Sequence, residues 1–175
     1  LAFDIIVGTG SNSALPHHLA DDTVICNHTP IVIDMGAKYK GYCADLTRTI
    51  FIGKPDETFQ KVYETVRQAQ LAAIHGIKSG MTGEEVDSIS RDVIDCAGYV
   101  NSFGHSLGHG VGLAVHELPR VGPKSKDIIK DGMVFTIEPG IYLSDWGGVR
   151  IEDVVLMENG QARVLSKASK KVYSN

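Results

Sequence analysis

Five residues of metal-ligand type, Asp34, Asp45, His109, Glu138 and Glu152, are spread over four separate motifs of this 175-residue chain. Asp34 and Asp45 bracket a hairpin-like stretch, IDMGAKYKGYCADLTRT. His109 lies in GHSLGHGVGLAVHELP, Glu138 in FTIEPG and Glu152 in GGVRIED. Any fold that uses the five together must bring these segments to one point. One His with four carboxylates is the donor set of two hard or borderline divalent ions that share carboxylate bridges. The inventory therefore points to a dinuclear hydrolytic centre.

The length suits one domain with a real core. A hydrophobic content of 43% with 22% charged residues is that of a soluble globular chain. The net charge of −4 argues against a nucleic-acid partner, whose phosphates call for a basic face. Three cysteines without CxxC spacing argue against a disulfide framework or a thiolate zinc site. The expected compartment is a reducing cytoplasm. No stretch is apolar for long enough to span a bilayer, so no membrane partner is expected.

The coarse pattern is α+β: strands, two helices, then strands again. Residues 3–8 read as a strand, and 31–39 with 42–52 as paired strands turning near Gly41. Pro55-Asp56 opens a helix whose apolar positions, Phe59 to Ile77, keep helical spacing to about Lys78. Thr82 and Glu85 form a capping box for a second helix, which Gly98 ends. Residues 133–143, 148–157 and 162–165 read as strands, with a turn at Glu158-Asn159-Gly160-Gln161.

Each candidate ligand has a local reason to be noticed. A hairpin near Gly41 would set Asp34 and Asp45 side by side. Asp34 follows Ile31-Val32-Ile33, so it is expected to be buried and to need a partner, either a metal or Arg48. The glycines around His105, His109 and His116 make a helix poor there. They suggest a loop and strand whose backbone passes close to a ligand. Glu138 ends an apolar run. Alternation puts Arg150 and Glu152 on one face, and Val149, Ile151 and Asp153 on the other. A plain salt bridge of Arg150 with Glu152 is the alternative, and it leaves Glu138 unpaired.

The strings DMGAKYKGYCADLTRT, GHGVGLAVHE, FTIEPGIY and GGVRIEDVVL, with ALPHH near the start, resemble the pita-bread metallopeptidases. Within these they look most like the Xaa-Pro peptidases, prolidase and aminopeptidase P. The resemblance implies an α+β, creatinase/aminopeptidase-like catalytic fold over residues 1–175. The helices that open its first half, and any separate N-terminal domain, are expected to be missing. Part of the sheet would then lack its cover and expose apolar surface.

The same resemblance implies hydrolysis of the Xaa-Pro bond at the N-terminus of dipeptides or short peptides. Asp34 would be a terminal ligand of one ion, and His109 and Glu138 terminal ligands of the other. Asp45 and Glu152 would bridge the pair. Manganese is the first choice, and Co, Zn and Fe accept the same N/O set. His17 and His116 match substrate-side histidines, His105 a further pocket histidine, and Arg150 an arginine beside the bridging glutamate. The implied catalytic group is thus Glu138, His17, His116 and Arg150. Substrate binding falls to His17, His105, His116 and Arg150. The expected partners are a proline-containing peptide and a second copy in a homodimer. The competing readings are a non-catalytic peptide- or protein-binding module of this fold and a methionine aminopeptidase.

Overall fold

The computed structural model describes residues 1–172, so the last three of the expected 1–175 domain lie outside the described residues. β1 (Ile6–Thr9) runs into a 3-10 turn (Gly10–Ala14). β2 (Pro30–Met35), β3 (Lys38–Tyr39), β4 (Tyr42–Cys43) and β5 (Leu46–Phe51) follow. Then come α1 (Glu57–Gly76) and α2 (Gly83–Cys96). The second set of strands is β6 (Gly108–Gly110), β7 (Glu117–Val121), β8 (Val134–Ile137), β9 (Gly140–Leu143), β10 (Gly147–Arg150), β11 (Asp153–Glu158) and β12 (Gln161–Val164). Strands, a helix pair and strands again is the α+β order read from the sequence.

The two expected long strands around Gly41 are each broken once. β2 pairs antiparallel with β5, while β3 and β4 form a separate small hairpin. Lys40 and Gly41 both take positive φ at its tip, as a tight two-residue hairpin turn requires. The register sets Asp34 opposite Thr47. Asp45, two residues before Thr47, falls on the same face by the period-2 rule. On the opposite face Val7, Ile33, Leu46 and Ile50 are only half-buried, and Met35 is 42% and Ile52 38% exposed.

The helices follow their sequence signals. Asp56 caps α1 by accepting from the Phe59 N–H at 2.7 Å. Phe59, Val62, Tyr63, Val66, Ala69, Ala73 and Ile74 form its buried face. Thr82 and Glu85 make the capping box of α2 in both directions. The two helices pack against each other and against the five-stranded sheet β12-β11-β8-β6-β7. Phe135, Ile137, Val149, Ile151 and Val155 meet them in one core. In α2, Val86 and Ile94 are buried together with Asp87 and Ser90, while Ile89 and Val93 are half-buried.

The expected strands 133–143 and 148–157 are also divided, at Glu138-Pro139 and at Ile151-Glu152. Pro139 cannot donate to a ladder. The Glu152 N–H leaves its own sheet and donates to the Thr47 carbonyl at 3.1 Å. The glycines flanking His109 serve a different purpose from the one expected. A Cβ on Gly108 would lie 1.9 Å from the Thr136 carbonyl oxygen, and one on Gly110 2.1 Å from that of Leu118. Their small size admits neighbouring strands, not a ligand.

Candidate metal centre

Ile137 pairs with Asp153, so the residues just beyond the β8–β11 ladder, Glu138 and Glu152, stand across from each other. β6 carries His109 beside them. β2 and β5 approach from the other sheet, where Thr49 Oγ1 accepts from the Arg150 N–H (3.0 Å) and donates to the Arg150 carbonyl (2.9 Å). This seam brings the four motifs together. One donor atom from each of Asp45, His109 and Glu152 lies within 4.8 Å of the others. His109 Nε2 is 3.2 Å from Glu138 Oε1 and 3.8 Å from Asp45 Oδ2. Asp34 joins through Arg150, whose Nη2 lies 2.7 Å from Asp34 Oδ2.

The ion pairs differ from the alternatives that the sequence left open. Arg150 pairs with Asp34 and not with Glu152, and Arg48 pairs with Asp153 (2.7 Å) and not with Asp34. The reason is the crossing of the sheets, which no alternation pattern within one strand shows.

Three polar residues not singled out in the sequence aim the ligands. Thr47 Oγ1 donates to Glu152 Oε2 at 2.7 Å and accepts from Arg150 Nε at 3.1 Å. Thr136 Oγ1 donates to Glu138 Oε1 at 2.9 Å and accepts from the His109 N–H at 3.1 Å. Tyr142 OH links His105 Nε2 (2.8 Å) to Arg150 Nη1 (3.0 Å). A sign was available: Thr47 and Thr136 each sit two residues from a candidate ligand, on its face of a strand. His109 Nδ1 lies 3.1 Å from the Gly110 carbonyl. With the proton on Nδ1, the Nε2 lone pair faces the carboxylates.

The electrostatics fit a cation. Burial, with the charges of Asp34 and Glu138, pushes the Asp45 carboxyl up to about 7. Burial and the surrounding carboxylates raise Glu152 well above the usual range. Burial also pushes Glu138 up, but the His109 hydrogen bond and the charges of His105, His109 and Arg150 carry it below its ordinary value. Burial depresses His109, but bonding to Glu138 raises it overall. Asp34 Oδ1 and Asp45 Oδ1 are buried without a hydrogen-bond partner among the described residues. Unpartnered carboxylate oxygens and an imidazole nitrogen around one point are the donors a divalent ion takes.

A pH dependence follows. Raised carboxyl pKa values mean that the metal-free fold holds protons which the unfolded chain releases. This stabilises the metal-free fold at low pH and fades as pH rises through about 7. A metal must displace those protons. Its affinity is therefore expected to rise from about pH 6 to about pH 8, with proton release on binding. Calorimetric titration in buffers of different ionisation enthalpy checks this, and a pH-independent affinity contradicts it.

The cluster forms the floor of a cavity of about 700 Å³, whose lining includes His17, His105, His116, Arg120 and Arg150. His17 and His116 are exposed at its wall. His105 is placed differently. Its Nδ1 meets the Ser106 carbonyl (2.8 Å) and its Nε2 meets Tyr142. Arg150, 2% exposed, spends its donors on Asp34, Thr47, Tyr142 and the Pro16 carbonyl. No helix among the described residues is long and apolar enough to cross a membrane.

Comparison with known proteins agrees with this architecture. Metallopeptidase family M24 matches residues 1–159. The Xaa-Pro dipeptidase of Pyrococcus furiosus is 48% identical over 98% of this chain and 49% of its own length. Among solved structures, the Xaa-Pro dipeptidase of Bacillus anthracis is 45% identical with a TM-score of 0.97, covering 99% of this chain and 49% of that one. The X-Pro aminopeptidase of Thermotoga maritima is 42% identical with a TM-score of 0.96, covering 99% and 49%. The chain spans about half the length of the curated relatives it matches. The α+β pita-bread architecture is the one shared with these structures. Matched from its first residue to residue 159, and nearly half identical to relatives across its length, the chain belongs to metallopeptidase family M24.

Proposed function

We propose that residues 1–175 form the metal-holding part of a peptidase catalytic domain that cleaves the Xaa-Pro bond at the N-terminus of dipeptides or short peptides. The observation that carries this reading is the floor of the cavity: all five candidate ligands line it, Asp45, His109 and Glu152 bring donor atoms within 4.8 Å of one another, and Asp34 Oδ1 and Asp45 Oδ1 are buried without a hydrogen-bond partner among the described residues. Asp34, Asp45, His109, Glu138 and Glu152 would hold two divalent ions, manganese first, with Co, Zn and Fe also suited to the N/O set, and Asp45 and Glu152 would be the shared ligands. When bound, the ions acidify a water and polarise a carbonyl.

The chain's own groups supply the rest. Glu138, kept ionised by His109 and Arg150, accepts the attacking water's proton and returns it to the leaving prolyl nitrogen. His17 and His116 on the cavity wall donate to the scissile carbonyl oxygen as charge develops. Arg150 acts through Asp34 and the Pro16 carbonyl, and so positions both a ligand and the loop bearing His17. His105, with both nitrogens engaged, offers its ring as a wall. The bond before proline has no N–H, so the ring must be recognised by shape. Phe3, Ile6, Leu19, Val115 and Leu118 give the cavity apolar sides for that purpose.

The test is hydrolysis of Xaa-Pro and Met-Ala peptides by the metal-loaded protein. Faster cleavage of the proline peptide supports the reading. Faster cleavage of the methionyl peptide would make the protein a methionine aminopeptidase, and cleavage of neither would favour a binding module. His116→Ala is expected to lower kcat/KM about 100-fold or more while metal content stays unchanged. Loss of metal in that variant would move His116 from the substrate side into the ligand set.

A further inference from the structure

The segment that follows β12 closes over the back of the metal centre. It lies beyond residue 159, where the family match ends. Ser166 Oγ accepts from the Val154 N–H at 3.0 Å, and the Lys170 carbonyl accepts from Tyr63 OH at 2.8 Å. Lys170 Nζ reaches Asp153 Oδ2 at 2.5 Å. Asp153 has a fully buried side chain and is the neighbour of Glu152 in sequence. Its other oxygen receives Arg48 Nη2 at 2.7 Å.

Arg48 joins the tail to the site. A guanidinium has five N–H groups, and here each finds an acceptor. Nε donates to the Ser169 carbonyl (3.1 Å) and Nη2 to the Ala168 carbonyl (2.8 Å) and Asp153. Nη1 donates to the carbonyls of Thr47 (2.8 Å) and Glu152 (2.5 Å). Thr47 and Glu152 are the two residues whose side chains bond to each other on the site face at 2.7 Å. Arg48 therefore grips their main chains from behind while the Thr47 hydroxyl grips the Glu152 carboxylate in front. Gln70, also buried, ties Asp153 to the Ile137 and Ile151 carbonyls that flank the two glutamates.

We propose that Arg48, Asp153 and Lys170, with the tail residues Ser166–Lys170, are positioning residues that fix Glu152 and set the affinity of the site for divalent metal. A surface ion pair would not do this. Lys170 and Arg48 share one carboxylate in the interior, and all five hydrogen bonds of Arg48 end on main-chain carbonyls or the Asp153 carboxylate, away from any substrate. The proposal rests on Glu152 being a ligand.

The test compares Lys170→Met and Arg48→Lys with Glu152→Gln and Arg163→Met. Arg48→Lys keeps a charge for Asp153 but loses the fork that reaches Thr47 and Glu152. Arg163→Met removes only the exposed pair with Glu158 on the same β11–β12 hairpin. The readouts are Mn²⁺ affinity by calorimetry, the Co²⁺ absorption bands and the Tm of the metal-free protein. Losing an outer partner of a metal ligand weakens metal binding by about 10- to 100-fold. That loss, with altered Co²⁺ bands, is expected for Lys170→Met and Arg48→Lys, whereas Arg163→Met should match the unaltered protein. Lowered Tm with unchanged affinity and unchanged bands would make the tail plain packing and overturn the proposal. If Glu152→Gln itself leaves affinity unchanged, the ligand assignment fails instead. Should Arg48→Lys fail to fold, Lys170→Met decides alone.

Discussion

Asp45→Asn should lose its metal, whereas Glu138→Gln should retain metal and lose most turnover. Asp45 lies among Asp34, His109, Glu138 and Glu152, so in the proposed site its carboxylate, like that of Glu152, would be shared by two ions. An amide offers one neutral oxygen, and affinity should fall by more than the roughly 100-fold that loss of an outer partner costs. The same change removes a charge that burial and neighbouring carboxylates oppose, since they push Asp45 up to about 7. In the presence of chelator at about pH 8, Asp45→Asn should therefore be more stable than the unaltered chain. Glu138 is held at the edge of the cluster by Thr136 and His109. Its amide can still coordinate weakly but cannot take a proton, so kcat should drop by about 10²–10⁴. Metal content by atomic absorption, with kcat on a proline peptide, separates the two variants. Equal metal loss in both would remove the distinct base role of Glu138.

Arg150→Met should produce the largest loss of stability. The guanidinium is buried and bonds to Asp34, Thr47, Tyr142 and the Pro16 carbonyl. Its removal leaves Asp34 with neither oxygen paired in the metal-free protein, because Oδ1 already lacks a partner among the described residues. Breaking a buried ion pair from one side costs about 3–5 kcal/mol. Urea unfolding with chelator present should show a loss of that order. Asp34→Asn in the same background should recover part of it, as the uncompensated charge disappears. A cost below about 1 kcal/mol would mean that the Arg150–Asp34 pair contributes little to the metal-free fold.

What could be read in advance was local. The two helices announced themselves by 3.6-residue spacing and by side-chain caps at Asp56 and Thr82, all of which lie within a few residues of what they act on. The Asn159-Gly160 turn did so too, through the positive φ that both residues take. Asp34 and Glu138 stood out as candidate ligands because a carboxylate at the end of an apolar run needs a partner, while Asp45, His109 and Glu152 stood out through their motifs and the family these resemble. What escaped depends on contacts between distant segments. The strand break at Glu152 arises because its N–H leaves one sheet for the Thr47 carbonyl of another, and the break at Glu138 falls before Pro139, which cannot donate to a ladder. The partner of Arg150 is 116 residues away. The glycines beside His109 looked like space for a ligand because Cβ-free residues say only that something comes close, not what. Tyr142 was hidden inside an apolar stretch, where its hydroxyl carried no signal of its own.

The seam between Thr49 and Arg150 also governs the order of folding. It joins positions 101 residues apart, and Ser13 meets the Gly148 N–H across 135. Contacts of such separation form late, because a long loop must close before they return any stabilisation. The helical hairpin α1–α2 can form from its own neighbours as soon as it leaves the ribosome. β2 and β5 cannot bury their inner face until residues near 150 have been made. During synthesis that face, which carries Val32 and Phe51 beside Asp34, Thr47 and Thr49, waits uncovered, so the early strands of this chain are exposed to chaperones and to aggregation until the seam closes.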